Sequence, residues 1–267
     1  GTRYTIEEQR NNLVLMYALS ECYDLADVSI QFRFQDDLRI GGLESGWGLI
    51  WDWADMGRAN GAKPSYLGVC AMNHLIGANA EAKDVINDGT NYALRFYNKK
   101  MGKDVVLLSG EYDASYMRLN LGVKELEVYD VYGNKLEPVV SETGVYDFSI
   151  NKEPFYVVGN LERFEQADSA QAEITPICVE DTVIPGETIT FSLRNKTGKR
   201  IKVVSDETDA FHIEKISEAA DGTVSVTLRT PENLTENTYA DLIVLNEKEQ
   251  VIYRGKGLIR VSDKPID

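Results

Sequence analysis

Hydrophobic periodicity divides the chain into a helical beginning and a long β part. Apolar residues are dense between residues 6 and 23, and they recur at helical spacing over 65–76. Thr5 and Glu8 form a capping-box pair at the start of the first segment, and Gly77 suits the end of the second. The pattern therefore predicts two helices.

The chain is organised around residues 28–77. Apolar and polar residues alternate over 28–34, which predicts a strand. A polar, glycine-containing loop follows, and it carries all three tryptophans of the chain, Trp47, Trp51 and Trp53. We expect the tryptophan segment to form a short extended piece or one turn of helix before the second helix begins.

Beyond residue 82 the pattern is that of short strands separated by turn residues, and no further helix is predicted. The first set of strands is predicted at 85–86, 92–97, 105–109, 116–121, 126–131, 145–150 and 155–158. The second set is predicted at 174–179, 188–193, 201–204, 211–216, 224–228, 239–245 and 251–261. A hairpin turn is expected at 132–135 and a polar linker at 162–171. The fold class is mainly β with an N-terminal α/β piece, followed by two antiparallel β-sandwiches, the second immunoglobulin-like.

Composition and charge exclude some partners. The 267 residues are 43% hydrophobic and 27% charged, which is ordinary for a globular protein. The net charge of −15 has no basic stripe, which argues against nucleic acid, because neutralising phosphates requires clustered Lys and Arg. No segment approaches about 20 consecutive apolar residues, so no membrane span is predicted.

Cysteine and histidine usage predicts no metal site and no cofactor. Cys22, Cys70 and Cys178 are far apart without a C-x-x-C pair, so they are expected to be buried thiols and not a disulfide framework. His74 and His212 lie in different segments, which disfavours a histidine metal site or a Ser-His-Asp triad.

Three stretches, in this order and spacing, resemble the C-terminal part of clan-A-type bacterial glycoside hydrolases with a (β/α)8 (TIM) barrel. The first is YTIEEQ at 4–9 with its helix, and the second is GLI at 48–50 with KPSY at 63–66. The third combines YDVYGN at 129–134, GVY at 144–146 and EPFYVVG at 153–159. Residues 168–267 resemble only generic immunoglobulin-like modules of secreted bacterial enzymes.

The resemblance implies a division of the chain into three parts. Residues 1–80 would be the last helix-strand-loop-helix portion of the barrel, 81–165 its accessory β-sandwich, and 168–267 the immunoglobulin-like module. Such enzymes use two carboxylates after strands 4 and 7 of the barrel, and both positions would precede Gly1. We therefore assign no catalytic residue, and we expect the chain to be inactive without the remainder of the parent barrel.

The resemblance also implies a sugar-facing loop, because loops after barrel strands form the active-site end. The candidate substrate-binding residues are Arg33, Asp36, Asp37, Glu44, Trp47, Trp51 and Trp53. Tryptophan rings suit the flat C–H faces of sugars, and carboxylates and Arg bind hydroxyls. Two alternatives stay open: the tryptophans form packing contacts, and Asp36 and Asp37 form a solvated turn. A calcium site lacks the D-x-D-x-D-G spacing.

Two classes of function follow. The first is the C-terminal fragment of a glycoside hydrolase that acts on carbohydrate. The parent would be extracellular or on the cell surface, and its signal segment would not be in this chain. The alternative is a non-catalytic carbohydrate-binding or cell-surface interaction protein. Glycan binding that is lost on replacing Trp47 or Trp51 by Ala favours the alternative, and absence of glycan binding counts against it.

The first helix generates a testable prediction. Its apolar residues cover more than a single stripe, so it needs partners on most sides. We expect it to leave an exposed apolar patch or to mediate self-association. A monomer in solution whose first helix is fully covered would contradict this expectation.

Overall fold

The computed structural model describes most of the chain. The described residues are 5–25, 34–37, 39, 46, 48–52, 61–77, 80–112, 115–179, 182–205, 211–235 and 237–262. Of the strand predicted at 28–34, all but Phe34 lies outside them. The described part is mainly β, with two α-helices and several sheets, and it is consistent with β-sandwich architecture.

Helix α1 spans Ile6–Cys22, and the predicted capping box fixes its start. The Thr5 hydroxyl accepts a hydrogen bond from the Glu8 backbone N–H at 3.1 Å, and the Glu8 carboxylate accepts one from the Thr5 N–H at 2.8 Å. Two N–H groups that the first helical turn would leave unpaired are thereby satisfied.

Helix α2 spans Pro64–Leu75, close to its predicted bounds. Pro64 occupies the first turn, where a missing N–H costs nothing. Gly77 follows the helix with φ of +91°, a left-handed conformation that glycine adopts without strain. The helices pack closely, since a Cβ atom at Gly68 would lie 2.9 Å from Arg10 Cγ and 3.2 Å from Val14 Cγ2.

Beyond residue 80 the described chain forms strands and one short 3-10 turn, Ser169–Gln171. The first strands are β1 (Glu81–Asn87), β2 (Asn91–Asn98), β3 (Lys103–Gly110), β4 (Ser115–Asn120), β5 (Glu125–Tyr129), β6 (Lys135–Val140), β7 (Val145–Ile150), β8 (Phe155–Gly159) and β9 (Glu165–Gln166). The others are β10 (Ile174–Val179), β11 (Thr182–Val183), β12 (Thr188–Asn195), β13 (Lys202–Ser205), β14 (His212–Glu218), β15 (Thr223–Arg229), β16 (Thr238–Leu245) and β17 (Val251–Val261).

Most strands match the hydrophobic pattern, and three were not predicted. β9 and β11 are only two residues long. β6 reads KLEPVV and is largely exposed, so it lacks the regular apolar alternation and contains a proline. The turn before β6 was predicted, and in it the Gly133 N–H donates to the Asp130 carbonyl at 3.0 Å.

One large sheet crosses the predicted boundary between the two sandwiches. Its strand order is β1-β2-β3-β8-β5-β6-β17-β16-β13, with β11 beside β17. The junction is a single parallel bridge between Val139 and Val251. Two smaller sheets, β10-β12-β15-β14 and β7-β4-β9, complete the described β structure. The domain bounds 1–80, 81–165 and 168–267 stay predictions.

The helices and the first sheets form three layers. Strand β3 is buried on both faces: Val105 and Leu107 belong to the core under the helices, while Val106 and Leu108 belong to the core between the sheets. This explains its unbroken apolar run VVLL. We call the strands up to β9 and the strands from β10 onward the N-terminal and C-terminal β units. The inter-sheet core also contains residues of the C-terminal β unit, Ile243, Leu245 and Val251. The two β units therefore share one apolar core at their junction.

Large apolar side chains remain exposed around the helices. Met16 on α1 is 50% exposed and Leu67 on α2 is 47% exposed, with Tyr23, Leu25 and Phe34 also exposed nearby in the sequence. Exposed apolar surface on α1 is thus present. Self-association through this surface stays a prediction.

Glu127 on β5 provides a pH test of the sheet. Hydrogen bonds from Lys103, Lys135 and Tyr129 lower the pKa of Glu127 from 4.5 to about 2. Because the folded-state pKa is depressed, the stabilisation is fully present above about pH 4.5 and is lost as the pH falls towards 2. Glu127→Gln should therefore lower the free energy of unfolding by about 1 kcal/mol at neutral pH, allowing for solvent screening, and the difference should vanish near pH 2.

The measurement is urea unfolding from pH 2 to 7, with Glu125→Gln as the matched control on the same strand. Glu125 is exposed and should show a smaller pH-dependent difference. A Glu127→Gln difference that does not change with pH would contradict the prediction.

Candidate functional site

Three of the predicted sugar-binding residues lie in the described part of the chain: Asp36, Asp37 and Trp51. Arg33, Glu44, Trp47 and Trp53 lie outside the described residues. The described site comprises residues 34–37, 39, 46, 48–52 and 61–63 of this loop, together with the N-terminal ends of both helices. Sugar binding by these residues stays a prediction.

Asp36 is buried in an ion pair with Lys63. Its Oδ1 accepts hydrogen bonds from Lys63 Nζ at 2.7 Å and from the Gly48 N–H at 2.8 Å. Both charged side chains are only 3% exposed. A solvated turn does not describe Asp36, and a sugar hydroxyl would reach its carboxylate only after a rearrangement of these contacts.

Lys63 joins the loop to the helix ends. Its ammonium also donates to the Gly46 carbonyl at 2.8 Å, and Gln9 in the first turn of α1 donates to the same oxygen at 3.4 Å. Lys63 is itself the N-cap residue of α2. The starts of both helices therefore meet the loop at one end of the helix pair.

Trp51 is half-buried beside this ion pair. The Lys63 ammonium lies 4.9 Å from the centroid of the Trp51 ring, a cation–π distance. The Trp51 backbone is held by Gln35 Nε2, which donates to its carbonyl at 3.2 Å, and by the Gly61 carbonyl, which accepts its N–H at 2.9 Å. The ring thus has a packing contact, and the choice between packing alone and sugar stacking stays open.

Within the described residues 48–52, Ile50 is paired on both sides, and Gly48 and Leu49 form bends. Ile50 bridges Gln35 in parallel and Ala62 in antiparallel orientation. Gly48 permits the close approach, since a Cβ atom there would lie 2.3 Å from the Asp36 backbone nitrogen. A side chain at position 48 would displace the segment that presents Trp51.

Asp37 faces a different environment from Asp36. It pairs with Arg39 at 3.0 Å, and the Arg39 side chain is 71% exposed. The Asp37 carboxylate also accepts from the Arg39 backbone N–H at 3.2 Å, which is an aspartate turn. Asp37 therefore forms a turn, and its own side chain is 23% exposed.

A second buried charge cluster lies under α1. Glu153 accepts a hydrogen bond from Arg10 Nη2 at 2.5 Å and one from Lys256 Nζ at 2.6 Å. Arg10 also donates to the Tyr132 hydroxyl, and its guanidinium carbon lies 4.8 Å from the Tyr132 ring centroid. Burial alone would raise the pKa of Glu153, but the charges of Lys256 and Arg10 outweigh it and hold the pKa below its usual range.

A cavity adjoins this cluster at the junction of the two β units. The cavity has a volume of about 60 Å³, which is room for a few waters. Phe148, Phe155 and Ile252 contribute to its apolar wall, and Asp241 and Lys256 to its polar wall. Its size suits ordered water beside the charges more than a drug-sized ligand.

Among the described residues, no group of three or more His, Cys, Asp or Glu side chains could hold a metal ion. None of the helices in the described part is long and apolar enough to cross a membrane. The carboxylates of Asp36 and Glu153 are both committed to buried cations.

Sequence reasoning missed four residues that organise these clusters: Arg10, Lys63, Glu153 and Lys256. Arg10 could have been noticed as a charge within a dense apolar helix, and Lys256 as a charge between two strand glycines. The pairing of these charges could not have been predicted, because Arg10 and Glu153 are 143 positions apart in the sequence.

Comparisons with known proteins give little further information. No protein-family model matches the sequence, and neither does any curated protein. A structural match is found to the gamma-CGTase from alkalophilic Bacillus clarkii, with 14% identity and a TM-score of 0.25. It covers 78% of this chain but only 31% of the CGTase chain. A likeness this weak carries no argument about fold or function.

The Asp36–Lys63 pair gives a stability prediction. Lys63→Met should lower the free energy of unfolding by about 3 kcal/mol, because it leaves a buried carboxylate without its cation. The double variant Asp36→Asn, Lys63→Met should recover part of this loss, since it buries no uncompensated charge.

Denaturant unfolding measures both variants. Arg39→Met is the matched control, because it breaks an exposed pair with Asp37 and should leave the unfolding midpoint unchanged. If Lys63→Met is as stable as the double variant and the parent chain, the pair does not organise the loop.

Proposed function

We propose that this chain is the C-terminal part of a glycoside hydrolase that acts on carbohydrate. Residues 1–80 would form the last helix-strand-loop-helix portion of a (β/α)8 barrel, and the β units would be its accessory modules. The two catalytic carboxylates would lie outside this chain, which would be inactive alone. We further propose an extracellular or cell-surface parent.

The observation that carries the proposal is the contact between stretches that resemble the same enzymes. Arg10 lies on the helix of the first stretch, and it binds both Tyr132 and Glu153 of the third. Gly133, also in the third stretch, lies against Ala71 of α2, because a Cβ atom there would be 3.2 Å from the Ala71 Cβ. Separate motifs that pack on one another support a common origin more than isolated motifs do.

The arrangement of the helix ends also supports the proposal. The Gly46 carbonyl accepts hydrogen bonds from Gln9 at the start of α1 and from Lys63 at the start of α2. The starts of both helices therefore lie at the same end, with the loop across them. In a (β/α)8 barrel the helices run in the same direction, and loops at this end form the active site.

Trp51 is the described residue best suited to contact a sugar. It is half-buried, and Lys63 and two backbone hydrogen bonds fix its position. A fixed aromatic ring can present a flat apolar surface to a sugar face at low entropic cost. We propose that it forms one wall of the sugar cleft, with the opposite walls in the remainder of the barrel.

The test is to express the natural protein with the residues that precede Gly1. We expect that region to encode the missing barrel strands with two carboxylates, and the longer chain to release reducing sugar from a polysaccharide panel. The chain of residues 1–267 should release none. A natural protein without such strands would contradict the proposal.

In the active longer chain, Trp51→Ala should raise KM about tenfold, the loss expected for one aromatic contact. Tyr112→Ala is the matched control, because Tyr112 is an exposed aromatic residue that follows β3. An unchanged KM for Trp51→Ala would remove Trp51 from the cleft. Glycan binding by the chain of residues 1–267, lost in Trp51→Ala, would favour the non-catalytic carbohydrate-binding alternative.

A further inference from the structure

We infer that Arg10, Glu153 and Lys256 form a latch through which the C-terminal β unit holds helix α1 in place. We call these three residues the Glu153 latch. The inference does not rest on the proposed function, because it concerns only contacts within this chain. Lys256 acts in it as a positioning residue for a helix that it does not contact through its own charge.

One carboxylate makes the connection. Glu153 Oε2 accepts from Arg10 of α1 at 2.5 Å, and Glu153 Oε1 accepts from Lys256 of β17 at 2.6 Å. The Arg10 and Glu153 side chains are 3% and 14% exposed, and the Lys256 side chain is 29% exposed. The Arg10–Glu153 contact is shielded from water, so it is stronger than an ion pair at a surface, and the loss of either partner is correspondingly costly.

The helix side of the latch has little freedom to adjust. Arg10 uses all three of its guanidinium nitrogens: Nε donates to Asn11 at 2.9 Å, Nη1 to Tyr132 and Nη2 to Glu153. Gly68 of α2 packs directly on the Arg10 side chain. A shift of Glu153 would therefore move Arg10 and, with it, the contact between α1 and α2.

The C-terminal side is equally held. The Lys256 N–H donates to the Ser149 hydroxyl at 3.4 Å, and the Lys256 ammonium lies 4.0 Å from an Asp241 carboxylate oxygen and 5.8 Å from the Tyr239 ring centroid. Glu153 itself is fixed by its N–H, which donates to Asn151 Oδ1 at 2.8 Å. The latch thus connects two positions that are both held by further contacts.

The physical consequence is energetic coupling between the C-terminal unit and α1. With Lys256 removed, Oε1 of Glu153 would lose its donor, and the carboxylate would no longer be held in the orientation that presents Oε2 to Arg10. Local opening of α1 would become more frequent, while the distant core of the C-terminal sandwich would keep its own packing. A lysine that stabilised only its own strand would not make α1 open more often while the distant core stays unchanged.

The experiment is amide hydrogen exchange on the full chain at pH 7. Lys256→Met should speed exchange of the α1 amides by about tenfold and leave β12 unchanged. Lys256→Arg should restore slow exchange. Lys202→Met is the matched control, because Lys202 forms an exposed pair with Glu249 and should change nothing in α1.

A second variant tests the route through Glu153. In a Glu153→Gln chain, α1 should already exchange faster, and adding Lys256→Met should have no further effect. Unchanged α1 exchange in Lys256→Met, or full additivity of the two substitutions, overturns the latch. If Lys256→Met does not fold, Lys256→Gln replaces it, and unchanged α1 exchange in that variant overturns the latch as well.

Discussion

A carboxylate that leaves water loses its hydration, and it stays ionised only if nearby cations or donors replace that hydration. Glu153 meets this condition by drawing one cation from the N-terminal helix and one from the last strand. The layers of the protein must therefore come together for this charge to be stable. The apolar core that both β units share at their junction places the same requirement on the fold, since Ile243 and Val251 contribute to the inter-sheet core.

The Asp36–Lys63 pair repeats this physics at the loop. A buried lysine needs a carboxylate, and Asp36 supplies it to Lys63. The same ammonium also donates to the Gly46 carbonyl and lies over the Trp51 ring. One charge thereby joins three described positions of the loop, Asp36, Gly46 and Trp51. The ion pair and the bridges of the adjacent Ile50 thereby fix the position of Trp51.

The sequence predicted the features that depend on local chemistry. The capping box at Thr5, the left-handed Gly77 and the turn before β6 each follow from a few adjacent residues, and so do most strands. It did not predict β6, whose irregular pattern reflects an exposed strand. Nor did it predict that Asp36 is buried, because burial depends on Lys63, 27 positions away. Three of the candidate sugar-binding residues could be located, and their polarity gave no sign that Asp36 is buried in an ion pair while its neighbour Asp37 forms a partly exposed turn.

The charged residues of the chain divide into many acidic side chains at the surface and a few buried cations. With 43 acidic against 28 basic side chains, most carboxylates must remain on the surface, where water solvates them. The buried cations Arg10 and Lys63 are different, because each is matched by a carboxylate at hydrogen-bond distance. Among the described residues, these two buried cations are therefore each neutralised by a carboxylate. Substitutions at the few buried cations should then matter far more to the fold than substitutions among the many surface acids.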